Sequence, residues 1–373
     1  MPSLHPPRLD EQAVFGQDLV ARARHFERTL DWLWLGATAA ALLAYAWMIA
    51  PSRRIAQTLG LRPVNAGIVL GLLVATVVWA VRLPFALVAA WWERRHGISR
   101  ETYVGIVIGR WGLLLGTALI TLVVLALTLS LAHRLGRRWW LAAAPALAAV
   151  VLALQFVDPY LASIGTHPLR RADLRTAVRV LERRVGIGRY DIRVDDVGRR
   201  TRAANAFAVG IGPSARVVLW STLLDGRFAP RQIRFVIGHE LAHLARRHVL
   251  RGVAWFALLI LPVVALIAFA VDVRGPVGVP IALLLLALAQ LALLPLRNAI
   301  SRRFETEADW VALNATRDPI ADRGVFTAFV ATSLQDPSPP RWVHVLLDDH
   351  PTALQRVELA RAWELRAAAI RRR

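Results

Sequence analysis

Residues 238–252 read GHELAHLARRHVLRG, and three of them could do chemistry together. His239 and His243 are four apart, so on a helix their imidazoles share one face. Two imidazoles one turn apart can bind a single Zn2+, and Glu240 then sits beside the ion as a candidate base. The chain has no cysteine, which removes thiolate ligands, disulfides and a thiol nucleophile. A metal must therefore be held by imidazole and carboxylate. A catalytic zinc takes three protein ligands and keeps one position open. The next candidates stand in SRRFETEADWVAL, residues 301–313. There Glu305 and Asp309 are four apart and share a helix face, while Glu307 points roughly the other way. Glu305 is assigned as the third ligand, and Asp309 as the acceptor for the free N–H of a ligand histidine. An exposed acidic helix paired with Arg302 and Arg303 is the plain alternative. His248, five after His243, falls off the ligand face and reads as packing.

These residues need elements to carry them. LRRADLRTAVRVLERRVG, at 169–186, has helical apolar spacing and a closing glycine. YDIRVDDV (190–197), NAFAVGIG (205–212) and ARVVLWSTLL (215–224) follow, with Gly, Pro and Ser separating the last two. Together they predict a small antiparallel sheet. Ala229-Pro230 opens the next helix, which carries the histidines, because proline suits a first turn. His167-Pro168 reads as a turn at a membrane edge.

The chain of 373 residues is 56% hydrophobic, and its apolar residues come in blocks. Six of them, at 30–50, 64–81 (extendable to 92), 104–132, 139–157, 252–271 and 277–296, approach or exceed the roughly 20 residues that span a bilayer. The expected fold class is mainly α: a polytopic membrane helical bundle of about six spans with a zincin-like α+β metallopeptidase region. The expected segments are a polar 1–28, four spans within 29–157, a first catalytic part at 158–251, two spans at 252–297, and a second catalytic part at 298–373. The net charge is +20, and all 46 basic residues are arginine. The loops beside the catalytic parts are richer in arginine, which predicts that these parts face the cytoplasm. Without a basic face interleaved with aromatics or a recognition motif, nucleic acid is not an expected partner. The lipid bilayer is.

HELAH followed by the E-x-x-x-D of SRRFETEAD resembles the integral-membrane zinc metallopeptidases of the CAAX prenyl protease type I group and their bacterial relative HtpX. The stretch 82–102, NAFAVG and HPTALQR (350–356) resemble further parts of that family, so the likeness runs from about residue 60 to 360. The resemblance implies one zinc per chain and a polypeptide substrate bound as an extended strand. It implies that Asn205 and Ala206 contact that strand, that His350 holds the substrate or its oxyanion, and that Arg356 supports the same wall. A multi-pass protein of the bacterial cytoplasmic membrane is expected. Its activity would be endopeptidase cleavage of membrane-associated or membrane-derived polypeptides, with Glu240 activating a zinc-bound water. The family's yeast and human members carry seven membrane helices around a large chamber, so six blocks imply a smaller or more open one. Two other classes compete. A non-catalytic, zinc-stabilised scaffold has no use for a base at 240. A transporter or channel needs more intramembrane ionisable groups than Arg110 and the boundary residue Arg82.

Overall fold

The computed structural model describes residues 6–275 and 277–372. Residues 1–5, 276 and 373, which belong to the expected N-terminal, second membrane and C-terminal segments, lie outside the described residues. The chain begins with α1 (Glu11–Phe15), capped by Asp10, whose carboxylate accepts from the amides of Gln12 and Ala13. Then come α2 (Gln17–Trp47), α3 (Ile49–Leu59), α4 (Pro63–Arg95), α5 (Tyr103–Leu135) and, after a single turn of 3-10 helix, α6 (Trp139–Leu161). A mixed region follows with β1 (His167–Pro168), α7 (Ala172–Val185), β2 (Asp191–Asp195), β3 (Ala206–Val209), β4 (Arg216–Trp220) and α8 (Pro230–Ala245). The chain closes with α9 (His248–Ala270), α10 (Gly278–Thr316), α11 (Pro319–Ser333), α12 (Arg341–Leu346) and α13 (Ala353–Arg371).

Among the described residues, four helical stretches are long and apolar enough to cross a membrane: Pro63–Arg95, Tyr103–Leu161, His248–Ala270 and Gly278–Thr316. The pair α2 and α3, bent by 48° at its break, makes a fifth if counted as one. The expected third and fourth blocks thus fall in one helical run, Tyr103–Leu161. That run is folded at Gly136, whose φ of 56° suits glycine, so that α5 and α6 pack on each other. Leu115, Leu119, Leu258 and Phe269 are all more than half exposed, as side chains facing hydrocarbon should be. Gly67 and Gly71 lie one turn apart on α4, where an added Cβ would strike Leu129 or Leu125 of α5. Small residues at this spacing let membrane helices approach closely.

The sheet has the order β1-β2-β4-β3 and is mixed, not wholly antiparallel as expected. β2 and β4 are parallel, because the chain crosses to the far edge, forms β3, and returns antiparallel to it as β4. His167-Pro168 is the edge strand β1, paired with Val194 and Arg193, where the sequence suggested a turn. A single core joins this sheet to α7, α8, α11, α13 and the end of α10. The N-terminal segment is part of it: Phe15, Val20 and Ala23 are buried there. The Leu9 amide also donates to Glu358 at 2.9 Å.

Candidate metal centre and peptide-binding edge

α8 starts at Pro230, and the Gln232 side chain accepts from the Ala229 amide at 2.6 Å. Ile233, Val236, Ile237 and Leu241 bury its apolar positions. α10 crosses α8 closely because the crossing is made of small residues: Gly238 faces Ala312 and Thr316, and Ala308 and Ala312 are wholly buried. At 39 residues α10 is far longer than a bilayer core requires. Its second half therefore extends past the apolar span to the histidines.

Glu305 arrives on that half. The ligand atoms of His239, His243 and Glu305 lie within 4.8 Å of one another. His239 Nε2 is 3.3 Å from Glu305 Oε2, and His243 Nε2 is 3.3 Å from Glu305 Oε1. The two Nε2 atoms are 3.0 Å apart. Glu305 Oε2 is buried with no hydrogen-bond partner. Lone pairs converging on one buried point, one of them orphaned, are the donor set that a tetrahedral divalent ion satisfies. Glu240 is buried beside them. Burial raises its carboxyl to about 7, against the opposing charge of His239.

Asp309 Oδ1 accepts from His239 Nδ1 at 2.8 Å, the contact the sequence suggested. Burial disfavours the charged His239 ring, but the hydrogen bond to Asp309 and the negative charges of Asp309 and Glu305 outweigh it and hold the ring at about 10. His243 goes the other way, to about 3, through burial first and the neighbouring His239 second. Two imidazolium charges do not fit this space.

Arg356 is buried behind the ligand group, its Nη2 3.7 Å from Glu305 Oε2. Its guanidinium is buried against Asp309, with Nε to Oδ2 at 2.8 Å and Nη2 to Oδ1 at 2.6 Å, and it covers the Phe326 ring. A lone buried charge is costly, so it pairs with the buried carboxylate of Asp309. His350 stands at the open side of the group, half exposed, with Nε2 3.5 Å from Glu305 Oε2 and Nδ1 bound to Asp349 at 2.6 Å. β3 is an edge strand whose inner neighbour is β4 and which packs against α8. Asn205 precedes it; its carbonyl accepts from Trp220 and its side chain from the Ala206 amide at 2.9 Å.

Sequence spacing did not foresee the break at Arg247 or the buried carboxyl of Asp322. α8 ends at Ala245, and Arg247 takes a left-handed conformation (φ 53°) before α9 begins. That break brings His248 back to His243, Nδ1 to Nδ1 at 3.0 Å, where a continuous helix would carry it away. His248 also stacks on Phe304 and meets Glu307 at 3.3 Å. Asp322 on α11 is buried with neither carboxylate oxygen hydrogen-bonded. Burial, then the charge of Asp309, holds its carboxyl well above the usual range. An acidic residue in the first turn of a helix is ordinary, so the sequence carried no signal for its burial.

Residues 168–364 match the sequence model of Peptidase family M48. An uncharacterized metalloprotease, YhfN of Bacillus subtilis, is 28% identical over 245 residues, 61% of this chain and 57% of that one. A protease HtpX homolog of Kineococcus radiotolerans is 33% identical over 150 residues, 38% of this chain and 51% of its own. A probable CAAX prenyl protease 1 of Schizosaccharomyces pombe is 27% identical over 172 residues, 45% of this chain and 36% of its own. The alignments thus span between about a third and three fifths of these relatives' lengths. The crystal structure of Ste24p from S. mikatae superposes with a TM-score of 0.79 at 18% identity, covering 96% of this chain and 92% of that one, and so has the same fold.

Proposed function

This chain belongs to peptidase family M48 and is a multi-pass membrane protein, and from that premise we propose that it is a zinc-dependent endopeptidase acting on membrane-associated or membrane-derived polypeptides. The convergence of His239, His243 and Glu305 around an orphaned carboxylate oxygen, with Glu240 buried alongside, carries the reading. Zinc held by these three residues would polarise a scissile carbonyl and acidify water. Glu240 takes the proton of the attacking water and returns it to the leaving amine. Asp309 fixes the tautomer of His239 so that Nε2 faces the metal position. The free edge of β3, entered through Asn205 and Ala206, receives an extended substrate by main-chain pairing. His350, at the open side, steadies the oxyanion.

The catalytic face is cytoplasmic in this reading. The loop between α4 and α5 is joined to the catalytic part by Arg100 N to Arg200 O at 2.8 Å and Arg202 N to Ile98 O at 2.9 Å. Arg100 in this loop, with Arg94 and Arg95 in the last turn of α4, joins the arginine-rich N-terminal segment in the pattern of cytoplasmic loops.

The test is Glu240→Gln in purified protein, with zinc content and cleavage of casein or a labelled peptide measured together. Zinc should stay, and cleavage should fall by about a hundredfold or more, the span of general-base contributions. Cleavage at the wild-type rate overturns the assignment.

A further inference from the structure

Away from the metal centre, a cavity of about 570 Å3 opens among α2, α4, α5 and α10. Its wall is mostly leucine, alanine, valine and aromatic rings, yet it contains Arg82 and Arg110. Among the described residues no Asp or Glu lines it. Neither guanidinium forms an ion pair among those residues; Glu93 lies within the field of Arg110 without pairing with it. The other polar groups include the hydroxyls of Tyr45, Thr117 and Thr121. The Trp79 indole is already committed to the Arg110 carbonyl at 3.2 Å.

Arginine inside a membrane helix is costly unless something neutralises it. Here two arginines from neighbouring helices share one cavity, and among the described residues no carboxylate of its wall pairs with either. The cavity offers two guanidinium forks, with hydroxyls along an otherwise apolar wall, and a bidentate guanidinium fork matches a phosphate. Leu113 of its wall is more than half exposed, as is Trp111 two residues before it on α5, so the wall includes a side chain that faces hydrocarbon. A pocket of this size takes a headgroup and the upper part of an acyl chain, with the rest running out into the bilayer.

We propose that this cavity is a binding site for an anionic phospholipid, whose phosphate is held by Arg82 and Arg110. Charge complementarity decides the occupant: a zwitterionic lipid would bring its own cation next to two unpaired guanidiniums, and a neutral acyl group would leave both unpaired. Basic pockets between membrane helices bind acidic headgroups by this physics.

Native mass spectrometry of the full chain released from nanodiscs tests it, with phosphatidylglycerol and phosphatidylcholine offered at equal concentration and inorganic phosphate as a separate arm. Wild type should retain phosphatidylglycerol and not phosphatidylcholine. Arg82→Gln and Arg110→Gln should each weaken retention by about fivefold, and the double variant by more. Ala75→Phe, which keeps both charges and fills the cavity, should lose the lipid as well; it serves as the independent readout should the double variant fail to fold. Equal retention of both lipids, or undiminished phosphatidylglycerol on the double variant and on Ala75→Phe, overturns the proposal. So does binding of inorganic phosphate with no lipid retained. So does a double variant that keeps the lipid but shows a raised KM for peptides with a free C-terminal carboxylate, which would assign the guanidiniums to substrate. The lipid-retention readings need no intact metal centre; only the KM reading uses the peptidase activity.

Discussion

Arg356 and Asp309, 47 residues apart in the chain, form a two-pronged ion pair at 2.6 and 2.8 Å, and the same carboxylate meets His239 at 2.8 Å. A buried arginine thus stands behind the residue that stands behind a candidate ligand. The order runs Arg356, Asp309, His239, and it puts α13 in control of an imidazole on α8.

From this chain of contacts, Arg356→Lys and Asp309→Asn should each lower metal affinity by about 10- to 100-fold while leaving the three ligands in place. Competition with a chromophoric chelator measures it. Unchanged affinity in both variants would show that the pair serves stability alone.

Removing the metal should abolish cleavage, and zinc should restore it at one ion per chain. The folded chain should also gain about 2.7 kcal/mol when free zinc is a hundred times its Kd, because the ion binds the folded state only. Thermal unfolding with and without chelator, beside elemental analysis, reads both outcomes.

Ala312→Leu should cost about 1–3 kcal/mol by overpacking the crossing of α8 and α10. It should also push Glu305 off the histidines and lower zinc content, although residue 312 touches no ligand atom. Retained zinc with a lowered melting temperature would show that the crossing can relax without moving Glu305.

Asp322→Asn tests the buried carboxyl on α11. Its folded pKa is raised, so the folded chain holds the proton more tightly than the unfolded one. Whatever stability that contributes is present below the unfolded value, about 4, and is lost as pH rises toward the folded one. Asparagine does not titrate. The variant should therefore gain on wild type as pH increases from 4 to 8, as read by melting temperatures in detergent. A difference independent of pH would sink the account.

Much of this molecule is local information. Apolar blocks announce membrane helices because hydrocarbon rewards every side chain in the block. His239 and His243 share a face because a helix repeats every 3.6 residues. Gly186 ends α7 and Pro230 opens α8 as their backbone preferences require. A strand within 205–212 was legible from its apolar run between turn residues; its place at the edge came from the family resemblance alone.

What tertiary packing decided is everything that depends on where two distant segments touch. The mixed sheet follows from the path of the 196–205 link, not from the strands it joins. Arg356 faces Asp309 because burial leaves its charge that partner. His248 meets His243 because Arg247 breaks the helix, and no spacing rule foresees a break at arginine. The sequence by itself determined which residues can bind a metal and which helices can enter a bilayer. Only the fold decided that Gly238, Ala308 and Ala312 bring α8 and α10 close enough for those ligands to meet. Periodicity acts along one element, whereas convergence depends on how closely two elements can pack.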